Sequence, residues 1–311
     1  MFGFVALNVM AYNHAKAMTH FATGGPRTNK PEDLSGFSKL KVLFTGIKIP
    51  RPKGNELASD FADNCEVLLI HELGGIILES WYCDQGNLTP LVILFHGYSA
   101  DKTSLLAEAG AFLDMGNSVM LVDFRGSGGS SESYTTIGVQ EADDVITVAK
   151  YAKDKFSHTS IILYGKSMGA VAILRAAKDR KIEVDAVILE AVFDTMLNTT
   201  RNRFRVMNVP SFLSAELLVF WGGWQWGFNG FAHNPIEYAS SLHSPALFMH
   251  GEEDPRATLE EGRCVFDAVP GTKEFVTFEK AGHESYFLSN PVKWQQAVES
   301  VIKKTENKSR E

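Results

Sequence analysis

A single serine stands between two glycines in Gly165-Lys166-Ser167-Met168-Gly169, where two patterns meet. Before it, SIILY is a short apolar, β-prone run; after it, MGAVAILRAA has helical spacing. At the end of a buried strand the chain must turn sharply into the next helix, and that corner exposes one side chain above the sheet. The helix dipole and free backbone N–H groups at the corner favour negative charge. Ser167 is therefore the candidate nucleophile, and a hydroxyl needs a base. His283, in FEKAGHESYF, follows the strand-like EFVTF, and Asp254, in MHGEEDPRAT, follows the strand-like ALF. In the order Ser167, Asp254, His283, the imidazole takes the serine proton and the carboxylate fixes its tautomer. A developing oxyanion needs two donors. The backbone N–H of Met168 is one, and that of Tyr98, in the loop after LVILFHG, is the expected second.

Other residues compete for these roles. Of nine histidines, His96 and His250 each precede a glycine at a strand end, which suits turn structure better than proton transfer. Glu252, Glu253 and Asp194 are rival acids, and Asp254 is preferred as the aspartate before Pro255 in the turn. Lys166 is read as solvated. The glycines of DFRGSGGSSES lack the G-x-G-x-x-G spacing, so no dinucleotide site is expected there.

These side chains need a scaffold. LVILFHG, SVMLVDF, SIILYG, AVILEA and ALFMHG are continuous apolar runs, as expected of strands buried on both faces of a parallel sheet. Helical stretches separate them; in 139–152 Ala142, Val145, Ile146, Ala149 and Ala152 mark one apolar face. This alternation predicts βαβ units with right-handed crossovers. Earlier, KLKVLFTGIKIPRP and a hairpin around Leu73-Gly74-Gly75 predict antiparallel strands. A three-residue hairpin loop sets Cys65 opposite Cys83. Compartment and size favour two free thiols there, with a disulfide as the alternative.

The alternation breaks at 195–240, a stretch too long for a structureless loop and rich in Phe and Trp. It predicts a small helical cap over the carboxyl edge of the sheet. Phe212, Phe220, Trp221 and Trp224 are candidates for an apolar substrate pocket, with Tyr98 as a further wall. Arg201, Arg203 and Arg205 read as a solvated helix face, with recognition of a substrate carboxylate or an anionic lipid head as the alternative. The expected organisation is an apolar N-terminal segment and loop at 1–38, core at 39–194, cap insertion at 195–240 and core again at 241–311.

A formal charge of -7 disfavours binding to phosphate backbones, so nucleic acid is not expected as a partner. Three cysteines carry no zinc-like spacing, and no metal is expected. MFGFVALNVMA is apolar but short against the roughly 20 residues of a spanning helix. It leaves open a docked helix, a membrane-surface contact through residues 1–22 or the end of a longer membrane helix, hence a cytoplasmic or a membrane-associated location.

Taken in order, LFHGYSADK, VDFRGSGGSS, YGKSMGA, HGEEDPRA and AGHES resemble the α/β-hydrolase superfamily over residues 65–305. The similarity is to the serine-hydrolase branch with Bem46-like and prolyl-oligopeptidase-like esterases and acylaminoacyl peptidases. It implies an α/β-hydrolase fold: a mostly parallel central sheet of about eight strands, helices on both faces, a catalytic triad and no cofactor. The expected activity is hydrolysis of small-molecule carboxylic esters with apolar acyl chains through an acyl-enzyme on Ser167. An amidase, acylaminoacyl-peptidase or acyltransferase is the nearest alternative, and a non-catalytic hydrolase-fold binding protein is a different class. Acyl-chain length and oligomeric state stay open.

Overall fold

The computed structural model describes residues 2–28, 42, 45–86, 88–180 and 182–310. The helix α1 (Phe2–Thr19) and the single turn α2 (Ala58–Phe61) precede the sheet. The strands are β1 (Cys65–His71), β2 (Ile77–Cys83), β3 (Leu91–Phe95), β4 (Ser118–Val122), β5 (Ile161–Lys166), β6 (Ala186–Glu190), β7 (Ala246–Gly251) and β8 (Lys273–Phe278). They form one open eight-stranded sheet in the order β1-β2-β4-β3-β5-β6-β7-β8. β1–β2 and β2–β4 pair antiparallel; every other pair is parallel.

The apolar runs follow from burial on both faces. Every residue of β3, β4, β6 and β7 is buried. Side chains alternate across a strand, so Leu91, Ile93 and Phe95 enter one core while Val92 and Leu94 enter the other. The crossover helices α3 (Leu106–Asp114), α4 (Glu141–Lys155) and α5 (Met168–Arg180) divide between the faces. Val145 and Val148 of α4 and Val171 of α5 fill the first core; Phe112 of α3 fills the second. Between β6 and β7 lie α6 (Met196–Val206), α7 (Ser214–Gln225), a 3-10 turn at Gly230–Ala232 and α8 (Pro235–Ala239). After β7 come α9 (Leu259–Ala268), α10 (Tyr286–Ser289) and α11 (Pro291–Arg310), whose Trp294 and Val298 complete the second core.

Three expectations change. First, no described residue of 39–52 lies in a strand; 39–41, 43 and 44 fall outside the described residues. Pro50 makes only an isolated bridge to Ala22, and without an N–H it cannot extend a ladder. Second, Cys65 and Cys83 are bonded, not free. The hairpin register places them directly opposite each other, a consequence of pairing that compartment arguments do not reach.

Third, the membrane-associated reading of the N-terminus is overturned. Among the described residues no helix is long and apolar enough to cross a membrane. α1 is an element of the fold. Trp221 Nε1 donates to Asn8 Oδ1 at 3.1 Å and Gln225 Nε2 to the Tyr12 carbonyl at 3.0 Å, while Ala11 and Ala15 are buried. The chain leaving α1 is tied to the loop after β4 by Phe21 N–H to the Ser133 carbonyl and Thr135 N–H to the Thr19 carbonyl, both 2.8 Å.

Candidate active site

The two glycines of the serine motif have separate steric reasons. A Cβ on Gly165 would lie 2.6 Å from the Ala170 nitrogen, and one on Gly169 would run into the Phe95 carbonyl oxygen. Strand β5 and helix α5 therefore approach as closely as backbone allows. Ser167, between them, has φ of +52°. That region costs a non-glycine residue about 1–3 kcal/mol and is held by its surroundings. The Ser167 N–H donates to the Glu190 carbonyl at 2.8 Å and its carbonyl accepts from Val171 N–H at 3.1 Å.

His283 Nε2 lies 3.1 Å from Ser167 Oγ, and His283 Nδ1 lies 2.6 Å from Asp254 Oδ2. Asp254 Oδ1 accepts the backbone N–H groups of Arg256 at 2.8 Å and Ala257 at 3.0 Å. Burial alone would raise the Asp254 carboxyl. The hydrogen bond and charge of His283, with the two amides, outweigh it and hold the carboxyl below its usual range. An ionised Asp254 accepts the Nδ1 proton, which leaves Nε2 as an acceptor facing the serine hydroxyl. The rival acids are committed elsewhere. Asp194 accepts from Thr195 N–H and from Asn198 Nδ2 at 2.7 Å, Glu252 accepts from Thr277 Oγ1 at 2.7 Å, and Glu253 is exposed.

The loop after β3 lies against the serine turn. A Cβ on Gly97 would sit 3.5 Å from the Lys166 carbonyl oxygen and 3.7 Å from Ser167 Cβ. The backbone N–H groups of Tyr98 and Met168 have no acceptor among the described residues. Met168 opens α5, whose first N–H groups have no intrahelical partner. The Tyr98 hydroxyl donates to the Met18 carbonyl of α1 at 2.6 Å, and burial pushes this phenol up to about 12.

His96 and His250 hold turns. His96 Nε2 accepts from the Phe124 N–H at 3.2 Å, and His250 Nε2 bonds the Ala257 carbonyl at 2.8 Å. Burial lowers the pKa of both. The glycine loop after β4 wraps a buried ion pair. Lys102 Nζ binds Asp123 and, at 2.7 Å, Glu79, and Gly129 N–H donates to Asp123 Oδ2 at 2.9 Å. A Cβ on Gly128 would collide with the Asp123 carboxylate.

The aromatic pocket candidates lie elsewhere. Phe212 is 84% and Trp224 62% exposed, and Phe220 is exposed as well. Trp221 packs edge-on against Tyr12 at 5.5 Å, so the aromatic face of α7 is spent on α1. An apolar cavity of about 50 Å³ instead lies between α1, α6, α7 and the loop at 136–137, walled by Met18, Ile137, Met196, Leu218, Val219 and Phe228. The arginines of α6 are not a uniform solvated face. Arg201 pairs with Glu216 at 2.5 Å, Arg205 Nη1 donates to Asn202 Oδ1 at 2.7 Å, and Arg203 turns inward with its guanidinium centre 5.5 Å from the Tyr98 ring centroid.

A buried carboxylate layer beneath the site escaped the sequence reading. Ser285, two residues after His283, donates to Glu108 Oε1 at 2.5 Å. Trp294 Nε1 donates to Glu190 Oε1 at 2.6 Å. Burial pushes Glu190 up to about 7, the neighbouring Lys166 charge opposes this, and the Glu108 charge adds to it. Lys166 is the neighbour of Glu190 across the β5–β6 register and is half-buried. The only trace in the sequence is a glutamate closing the apolar run of β6.

An open, mostly parallel sheet with a serine at the strand-to-helix corner of β5 defines the α/β-hydrolase fold. Residues 86–212 match a family profile described as serine aminopeptidase, S33. The Bacillus subtilis protein YqkD is 25% identical over 270 residues, 86% of this chain and 88% of that protein. Schizosaccharomyces pombe protein bem46 is 27% identical over 65% of this chain and 64% of its own length. The rat lysophosphatidylserine lipase ABHD12 is 22% identical over 65% of this chain and 51% of its own length, so the match spans about half of that lipase. Among solved structures, the Pyrococcus furiosus esterase Pf2001 superposes with a TM-score of 0.68 at 23% identity, covering 82% of this chain and 96% of that one, a likeness of fold. The chain has the α/β-hydrolase fold and is similar in sequence to bem46 and ABHD12.

Proposed function

We propose that this protein is a serine esterase acting through an acyl-enzyme on Ser167. The observation that carries the reading is the hydrogen-bonded series Ser167 Oγ, His283, Asp254, at 3.1 and 2.6 Å, beside two unpaired backbone N–H groups. In this reading Ser167 Oγ attacks the ester carbonyl carbon while His283 Nε2 takes its proton. The carbonyl oxygen gains charge and is held by the Tyr98 and Met168 N–H groups. The carbon–oxygen bond to the alcohol breaks as His283 returns the proton to the leaving oxygen. Water, deprotonated by His283, then releases the acid.

The cavity between α1 and α7 supports an apolar acyl chain. Its walls adjoin both donors: Met18 accepts from the Tyr98 hydroxyl, and Thr135, beside cavity residue Thr136, donates to Met168 Sδ at 3.4 Å. Its 50 Å³ exceeds the roughly 10–15 Å³ that one water requires, which suits a short chain. The lipase activity in the name of the rat relative supports ester chemistry. The aminopeptidase description of the family profile favours amides instead. An aminopeptidase must hold a substrate ammonium, and the inward Arg203 beside Tyr98 has the wrong sign for that task.

A fluorophosphonate probe tests the assignment. Labelling of the wild type and none of Ser167→Ala, with faster turnover of p-nitrophenyl butyrate than of the matching anilide, is the expected outcome. Absence of labelling in folded wild type favours a binding protein.

A further inference from the structure

Arg203 has Arg27 and Arg256 as near neighbours beside the candidate site, and none of the three is paired with a carboxylate among the described residues. Arg203 leaves α6 partly buried, its guanidinium over the Tyr98 ring, and it donates no side-chain hydrogen bond among the described residues. Arg27 Nη2 reaches Ser99 Oγ at 3.2 Å, one residue beyond the proposed oxyanion donor. Arg256 follows Asp254 by two residues. Its carbonyl accepts from Thr199 at 3.2 Å and Asn202 at 3.3 Å, which pins it to the turn of α6 that carries Arg203. None of the three forms an ion pair among the described residues, whereas Arg125, Arg175 and Arg201 all do. The carboxylates at hand are occupied: Asp254 by His283, and Asp194 by Thr195 and Asn198. In a chain of net charge -7, three neighbouring cations that share only the field of Asp254, and have no ion pair among the described residues, are not explained by packing. Partly burying a guanidinium without a partner costs free energy that a bound anion recovers.

We propose that Arg203, with Arg27 and Arg256 at its rim, forms an anion subsite that binds a phosphate or carboxylate on the alcohol portion of the ester. The inference rests on the esterase reading and names its substrate class. Direction follows from the chemistry. His283 returns the proton to the leaving oxygen, so the alcohol lies on the side of His283 and Asp254, where Arg256 and Arg203 stand. The acyl cavity is walled by α1, α7, the first turns of α6 and the loop at 136–137. The subsite supplies charge-assisted hydrogen bonds to two or more oxygens, and planar guanidinium groups suit both oxyanions.

Two matched butyrate esters test it: neutral p-nitrophenyl butyrate and 3-butanoyloxy-4-nitrobenzoate, which adds a carboxylate to the leaving group. The expected kcat/KM ratio of anionic to neutral ester falls about tenfold or more in Arg203→Gln and less in Arg203→Lys, Arg27→Gln and Arg256→Gln. Arg27 and Arg256 are exposed, so their variants bear on binding even where Arg203→Gln folds poorly. The anionic preference also shrinks as salt rises from about 0.01 to 0.5 M. A ratio that no variant and no salt concentration changes overturns the subsite. A second measurement does not depend on turnover: calorimetric titration of Ser167→Ala with n-butyl phosphate, inorganic phosphate and n-butanol. Tighter binding of butyl phosphate than of butanol, weakened by Arg203→Gln, supports the subsite, and competition by inorganic phosphate locates the recognition in the anion itself. Equal affinity for butyl phosphate and butanol overturns it. Loss of turnover with phosphate binding intact would sink the esterase reading and leave the subsite standing.

Discussion

At the scale of single residues, the proposed chemistry depends on hydrogen bonds that each have one acceptable geometry. Ser167→Ala and His283→Ala are expected to lower kcat on a short ester to similar extents, each by at least about 10³-fold, because members of such a set act as a unit. Asp254→Asn should cost nearly as much. The two amides on Oδ1 keep the side chain in place, but an Asn nitrogen facing His283 Nδ1 would impose the wrong tautomer and a loss of about 10³–10⁴-fold. Steady-state kinetics on the three folded variants check both expectations. Asp254 is held below the usual carboxylate range by its bonds to His283 and the two amides, so it stays charged into mildly acidic solution. The serine, histidine and aspartate were all legible in the sequence, because the G-x-S-x-G corner and the two late strand-end loops are local patterns. Glu108 and Ser285 were not, because each has its partner 177 residues away; Arg203 was legible as a cation, but its place over Tyr98 was not.

At the scale of elements, the corner between β5 and α5 has no slack. Gly165→Ala should destabilise the fold or displace α5, visible as a lowered Tm and lost activity together, because its methyl would meet the Ala170 backbone. The carboxylate beneath that corner sets a pH dependence. Glu190 is pushed from an ordinary 4.5 up to about 7. Between those values the folded chain keeps a proton that the unfolded chain has lost, so stability falls as pH rises through the window. Glu190→Gln keeps an acceptor for Trp294 and removes the titration. The difference in Tm between pH 5 and pH 8 should be smaller in Glu190→Gln than in wild type; an unchanged difference would assign the slope to other groups. The strands and crossover helices were readable because continuous apolar runs and amphipathic spacing are written in consecutive residues. The expected strand in 39–52 was not found among its described residues: Val42 and Thr45 are helical, and Lys48, Ile49 and Arg51 make single backbone bonds to residues 22–28 rather than a ladder.

At the scale of the whole molecule, the Cys65–Cys83 bond closes a hairpin at the edge of the sheet, far in topology from β5, β7 and β8, whose ends carry the candidate site. Replacing both cysteines with serine should cost about 2–4 kcal/mol of stability by the loop-closure argument, while kcat is retained. Denaturant unfolding and ester turnover separate the two effects. Sequence alone determined the fold class and the residues proposed for the chemistry, because both rest on short-range patterns: alternating strand and helix, and a hydroxyl, an acid and an imidazole at successive strand ends. Only the tertiary structure decided what the aromatic insertion, the N-terminal helix and the arginines of α6 do. Trp221 serves α1, α1 walls the cavity, and Arg203 turns toward Tyr98. Apolar and charged side chains state a need for burial or for a partner, and which surface meets that need is settled when distant segments pack.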